Sequence, residues 1–147
     1  MKAIISLLFF VVSMGFSSCS SAQNEKEPWS EKQLMQPMAL ANILNDTSVQ
    51  GTLIYSVGPA GLIKNSIDIG EGKSPENLEK FRKELNNLPK DADIVIYCGC
   101  CPFKDCPNIR PAFDLLNKMG FTNHKLLNLP KNLKVDWIDQ GYPMNND

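Results

Sequence analysis

An α/β domain with a central, mostly parallel sheet is the fold class this sequence predicts, and three observations predict it. Short apolar runs of strand length recur at 51–57, 67–69, 93–97 and 125–128. Segments with apolar residues at helical spacing stand between them. Proline, serine and glycine punctuate the boundaries where helices start and stop. Strands that alternate with helices in this way form parallel sheets, because each crossover carries the chain back to the same end.

Taken in order, residues 31–35 form a short segment that fits neither pattern clearly. Gln36 can cap a helix with Pro37 at its first position, and Met38, Leu40, Ala41, Ile43 and Leu44 then fall at helical spacing. Asn45-Asp46 ends it. The strand at 51–57 is followed by a turn at 58–61 and by the short strand at 67–69, closed by Gly70 and Gly72. Ser74 caps the next helix, Pro75 opens it, and Leu78, Phe81, Leu85 and Leu88 form its stripe. The strand 93–97 leads into a cysteine-rich loop. A helix follows, with Pro111 in its first turn, Ala112, Phe113, Leu115, Leu116 and Met119 apolar, and Gly120 as its stop. A final short helix is predicted over 134–140, stopped by Gly141 and Pro143.

The N-terminal residues are read as a targeting segment. Lys2, the apolar run 3–12 and the small polar stretch 13–18 have the pattern of a secretory signal too short to span a membrane permanently. Phe16-Ser-Ser-Cys19 resembles the lipobox of bacterial lipoproteins, which implies acylation of Cys19 and anchoring to a membrane surface in the cell envelope. The expected organisation is a signal at 1–18, a polar tether at 19–29 and one domain at 30–147. A formal charge of −1 over 147 residues gives no electrostatic case for nucleic acid, so none is expected as a partner.

The chemistry concentrates in Tyr97-Cys-Gly-Cys-Cys-Pro-Phe-Lys-Asp-Cys-Pro-Asn-Ile-Arg110, with Cys98, Cys100, Cys101 and Cys106 inside nine residues. The loop leaves the end of a strand and enters a helix, where backbone N–H groups and a guanidinium can hold a sulfur as thiolate. The residues alone leave several uses open. Cys98-Gly-Cys-Cys101 has the Cys-x-x-Cys spacing of thioredoxin-like redox proteins, but Pro102 and Pro107 break a helix starting there. Four thiolates would satisfy zinc, yet structural zinc sites draw them from separated pairs. Thiolates also suit copper(I). His124, the only histidine, is read as a solvated turn residue, and Asp91 with Asp93 as a solvated strand entry. Tyr55, Ser56 and Asn108 are placed at the mouth of the loop by topology.

The chain resembles a rhodanese domain over roughly residues 30–147. Ile94-Val-Ile-Tyr-Cys98 is similar to the strand that ends in that family's active cysteine, and Arg110-Pro-Ala-Phe-Asp-Leu-Leu116 to its helix start. Gly61-Leu-Ile-Lys-Asn-Ser-Ile-Asp-Ile69, Leu85-Asn-Asn-Leu-Pro89, Lys118-Met-Gly-Phe121 and Asp136-Trp-Ile-Asp-Gln-Gly-Tyr-Pro143 follow the family's order. The sequence departs from the pattern at Tyr55-Ser-Val57, at Leu129-Pro-Lys-Asn132, and in the 13 residues from Cys98 to Arg110, a loop longer than the family's.

The resemblance implies a three-layer fold with about five strands between helices. It implies a sulfurtransferase in which Cys98 takes sulfane sulfur from an anionic, thiosulfate-like donor as a persulfide and passes it to a thiol or cyanide. Arg110 would bind the donor anion, with Gly99, Cys100, Cys101, Lys104, Cys106 and Asn108 forming the loop around it. Neither a cofactor nor a metal is expected. Counting back from Arg110 makes Cys106 a rival nucleophile, and Arg110 could instead pair with Asp114 on its own helix. A thiol redox protein or arsenate-type reductase using Cys98 with Cys100, Cys101 or Cys106 is the alternative. A non-catalytic binding or metal-sequestering module is the second.

Overall fold

A computed structural model describes residues 26–49 and 51–145. The expected signal and the lipidated Cys19 lie outside the described residues. Among the described residues no helix is long and apolar enough to cross a membrane.

Five strands form one sheet: β1 (Leu34–Met35), β2 (Leu53–Ser56), β3 (Ser66–Asp68), β4 (Ile94–Tyr97) and β5 (His124–Leu127). Their order across the sheet is β1-β5-β4-β2-β3, and every pairing is parallel. Four helices flank it: α1 (Pro37–Asn45), α2 (Pro75–Leu85), α3 (Ile109–Lys118) and α4 (Leu133–Asp136). The predicted α/β architecture is therefore the one observed, and the ambiguous 31–35 segment resolves into a 3-10 turn (Glu31–Gln33) and edge strand β1.

Strand periodicity sets the layers. Alternate residues of β4 face opposite ways, so Ile94 and Ile96 join the core beneath α2 and α3, whereas Val95 and Tyr97 join the core beneath α1 and α4. All four are fully buried, the signature of a strand covered on both faces. Phe81 and Leu85 of α2 and Ala112, Phe113 and Leu116 of α3 fill one side; Leu40 and Ala41 of α1 and Leu133 and Trp137 fill the other. Each large apolar side chain so buried contributes about 1.5–3 kcal/mol. The helix boundaries follow the predicted punctuation: Ser74 Oγ accepts from the Asn77 N–H at 3.5 Å, and Gly120 ends α3 with φ 78°.

Two sequence expectations need correction. The last helix does not run over 134–140: α4 stops at Asp136, Trp137 leaves helical geometry at φ −133°, and a 3-10 turn follows over Ile138–Gln140. The buried Trp137 indole holds this break, donating from Nε1 to the Pro143 carbonyl at 3.1 Å. His124 is not a solvated turn residue. It opens β5 at 4% exposure, with its Nε2 2.9 Å from Asn117 Oδ1 and its ring 4.6 Å from that of Phe113. Burial pulls its pKa down, so the ring is neutral at pH 7.

The strand order creates a switch point. From β2 the chain builds outward to β3; from β4 it builds the opposite way to β5. The connections leaving the adjacent strands β2 and β4 thus diverge, and a crevice opens beyond their carboxyl ends. Cys98 follows β4 directly, and Val57-Gly58 follows β2.

Candidate active site

Cys98 continues the alternation of β4, so its side chain lies on the α2/α3 side of the sheet with Ile94 and Ile96. It is 1% exposed. The loop after it is shaped by pins at both ends. The Leu133 N–H donates to the Gly99 carbonyl at 2.9 Å, and the Phe103 N–H to the Leu129 carbonyl at 3.2 Å. Phe103, in a 3-10 turn over Phe103–Asp105, buries its ring 5.9 Å from that of Trp29 and so anchors the middle of the loop to the core. Trp29, the last residue of the expected tether, is itself 8% exposed and packs edge-on to Phe113. Gly99 is needed for close approach: a Cβ there would overlap that of Leu133 and lie 2.8 Å from that of Ala60.

Four groups meet Cys98 Sγ. Cys100 Sγ is 3.3 Å away, and the Cys100 N–H donates to it. Asn108 Nδ2 donates at 3.7 Å, and Cys106 Sγ stands within 4.8 Å of the same sulfur. Cys106 is buried, Cys100 exposed, and Cys101 Sγ lies 3.3 Å beyond Cys100. All four cysteines are free thiols. Asn108 is held in the required orientation because its Oδ1 accepts from the Lys73 N–H at 3.2 Å, which leaves the amide nitrogen for sulfur. Gly58 closes the other wall: a Cβ on it would overlap Cys98 Sγ.

These contacts separate the thiols electrostatically. The Cys106 hydrogen bond, aided by the Cys100 N–H and Asn108, brings the Cys98 pKa down to about 5 against the opposing cost of burial. The same bond pushes Cys106 up, since its proton is the one shared. Burial together with its thiol neighbours raises Cys100 to about 12. The opposite directions of the shifts on Cys98 and on Cys100 and Cys106 favour Cys98 as the site of negative charge.

Arg110 occupies the first turn of α3 as expected but takes no part in these contacts. Its Nη2 lies 3.0 Å from Glu27 Oε2, its guanidinium stands 5.4 Å over the Trp29 ring, and Asp114 lines the same surface cleft without taking the ion pair. Glu27 Oε2 is buried and has no aligned hydrogen bond, so the contact is one of charge. Lys104 is exposed, 6.0 Å from the ring centroid of Phe103. Lys73, which the sequence did not single out, stands within electrostatic reach of Cys100 and Cys106 while paired with Glu71 at 2.6 Å.

The expected mouth residues divide. Asn108 is under the sulfur rather than at a rim. Ser56 is buried, with its Oγ donating to the Gly58 carbonyl at 3.3 Å, and Tyr55 packs on Phe81 in the core. Asp93 is half-buried rather than a solvated entry: it accepts from Thr52 at 2.6 Å and from Lys125 at 3.0 Å. His124 begins β5, whose amino end lies away from the carboxyl-end crevice, so it cannot serve Cys98.

No protein-family model matches the chain, and no curated protein matches it in sequence.

Proposed function

We propose that the protein is a rhodanese-like sulfurtransferase that carries sulfane sulfur on Cys98. One observation carries the reading: a buried cysteine at the switch point of a parallel sheet, its sulfur facing a glycine, accepting from Asn108 Nδ2 and lying within 4.8 Å of the Cys100 and Cys106 sulfurs. The parallel five-stranded architecture and the sequence likeness from Ile94 to Leu116 are compatible with it.

The chemistry follows from the thiolate. Cys98 Sγ attacks the outer sulfur of a thiosulfate-like donor; a sulfur–sulfur bond forms on Cys98 as the donor's own breaks, and sulfite leaves. The persulfide terminus is anionic, and the same donors can hold it. An acceptor thiolate or cyanide then attacks that outer sulfur and returns Cys98 as thiolate. Arg110 would bind the donor once the Glu27 carboxylate gives way, with Lys73 and Lys104 adding positive charge at the loop. The 1–18 and Cys19 patterns support an exported protein, lipid-anchored in the bacterial envelope, with small thiols or thiol proteins as acceptors.

Intact mass after incubation with thiosulfate tests this. One sulfur atom is gained per chain, and Cys98→Ser abolishes the gain; an adduct that survives Cys98→Ser, or none at all, refutes it. A thiol redox reading is favoured by one further contact, the 3.3 Å approach of Cys98 and Cys100. Attack of Cys100 on Cys98 of the persulfide would expel sulfide and leave a disulfide, which mass spectrometry separates from simple transfer.

A further inference from the structure

The cysteine loop holds a set of donors beyond what nucleophilic chemistry needs. Cys98, Cys100 and Cys106 place their Sγ atoms all within 4.8 Å of one another. Cys101 is not one of this set, although its sulfur lies 3.3 Å from that of Cys100. We propose that these three sulfurs form a trigonal binding site for copper(I), with Cys98 and Cys106 as its buried floor and Cys100 as its entrance.

The geometry selects the metal. A metal–thiolate bond of about 2.3 Å at the centre of a trigonal set puts the sulfurs roughly 4 Å apart. The cluster approaches that spacing to within about 1 Å, and the tightest pair, Cys98 and Cys100 at 3.3 Å, needs only to open. A structural zinc ion requires four ligands in a tetrahedron, and the fourth thiol stands outside the group. Soft sulfur donors without carboxylate or imidazole favour a soft monovalent ion. The one titratable nitrogen donor that copper(II) or zinc would seek, His124, is at the other end of the sheet.

The surroundings agree. Cys98 and Cys106 belong to the apolar core with Val57, Phe103 and Ile109, so the floor of the site is dry. A dry shell suits an ion of low charge. Three thiolates and copper(I) leave an excess of negative charge, and Lys73 lies within electrostatic reach of both Cys100 and Cys106. Cys100 is exposed, so the ion has a path from solvent. Binding converts the thiols of Cys100 and Cys106 to thiolates and releases their protons to solvent. It also removes the free Cys98 electron pair, so copper(I) and persulfide exclude each other on one chain.

The test is anaerobic titration of the reduced 30–147 domain within the full chain by copper(I), supplied from a chromophoric copper(I) chelator. The expected result is one ion per chain with thiolate-to-copper charge transfer in the ultraviolet, and no displacement by excess zinc. Cys100→Ser and Cys106→Ser should each weaken binding by about tenfold or more, a loss at least as large as outer-shell substitutions cause. Cys101→Ser should leave it within about threefold. Cys100 is exposed, so its variant decides the matter even where Cys106→Ser fails to fold. Absent stoichiometric binding, unchanged affinity in Cys100→Ser, an equal loss in Cys101→Ser, or tighter zinc binding each overturn the site. Persulfide formation measured on the metal-free protein is a separate readout, so loss of one reading leaves the other standing.

Discussion

Gly58→Ala is the sharpest perturbation of this site, because the structure says what the added methyl meets. It would overlap Cys98 Sγ and lie 3.2 Å from Cys98 Cβ and 3.5 Å from its Cα. Relief can come in two ways. If the backbone after β2 moves, overpacking costs about 1–3 kcal/mol, which for a domain of this size lowers Tm by about 4 °C per kcal/mol. If instead Cys98 rotates about χ1, the backbone is spared but the sulfur leaves Cys106, the Cys100 N–H and Asn108. Its pKa then climbs from about 5 toward that of a free thiol, about 8.5. At pH 6 that change cuts the thiolate fraction roughly 300-fold, and the greater nucleophilicity of a more basic thiolate returns part of it, leaving a net fall of roughly tenfold. Iodoacetamide alkylation of the metal-free protein at pH 6, followed by peptide mass and paired with denaturant unfolding, reads both. A variant with wild-type stability and wild-type Cys98 alkylation would show that the β2 loop does not press on the sulfur, and the switch-point argument would fall.

In the metal-free wild-type protein, Cys98 alkylation should rise through about pH 5 and level off, because the group is already roughly 99% thiolate two units higher. A profile that climbs through pH 8–9 refutes the assignment. Asn108→Ala removes the Nδ2 donor to sulfur and the Oδ1 acceptor of the Lys73 N–H together. It should shift that midpoint upward and cost about 1–2 kcal/mol of stability, seen in denaturant unfolding. Glu27→Gln frees Arg110 from its ion pair and should lower KM for thiosulfate, whereas Arg110→Gln should raise it. Equal KM in all three proteins would remove Arg110 from donor binding. His124→Leu should change persulfide formation by less than twofold while altering stability by about 1 kcal/mol in either direction.

Local pattern made the fold legible, and sheet order made the site only partly so. Every helix that packs the core carries its start or stop in single residues, such as Ser74-Pro75 and Gly120, and β4 is a continuous apolar run as a strand covered on both faces must be. Cys98 could be found because it sits one residue past that run. Gly58, Lys73 and Asn108 could not be assigned their places, since Gly58 reaches Cys98 through the pairing of β2 with β4, Asn108 through the fold of the loop, and Lys73 only through Asn108. Arg110 reads as a helix start and stands at one, but its direction is fixed by Glu27 and Trp29, which read as tether. His124 read as solvated because Gly120-Phe-Thr-Asn before it is turn-like; its partners Gln33, Asn117 and Phe113 are tertiary neighbours that no local window contains.

The position of Arg110 changes how the loop is understood. In a short loop a helix-start guanidinium could face the sulfur and stabilise its charge. Here 11 residues separate Cys98 from Arg110, Phe103 among them is buried against Trp29, and Arg110 stands outside with Glu27. The charge on Cys98 is therefore held by neutral donors, a thiol, an amide and a backbone N–H, rather than by a cation. Neutral donors stabilise a thiolate without fixing a counter-ion beside it. On the two proposals the sulfur so held accepts either an electrophilic sulfur atom or a soft cation, and a resident arginine would have favoured the first and repelled the second. Placing a lysine on the Gly58 wall, as Gly58→Lys, is not a fair test of that balance because it also overlaps the sulfur. Asn108→Asp is a fairer one, since it keeps the shape and replaces a donor with a negative charge. Persulfide formation should fall in that variant, while copper(I), whose site gains attraction, should lose less affinity than it does in Cys100→Ser.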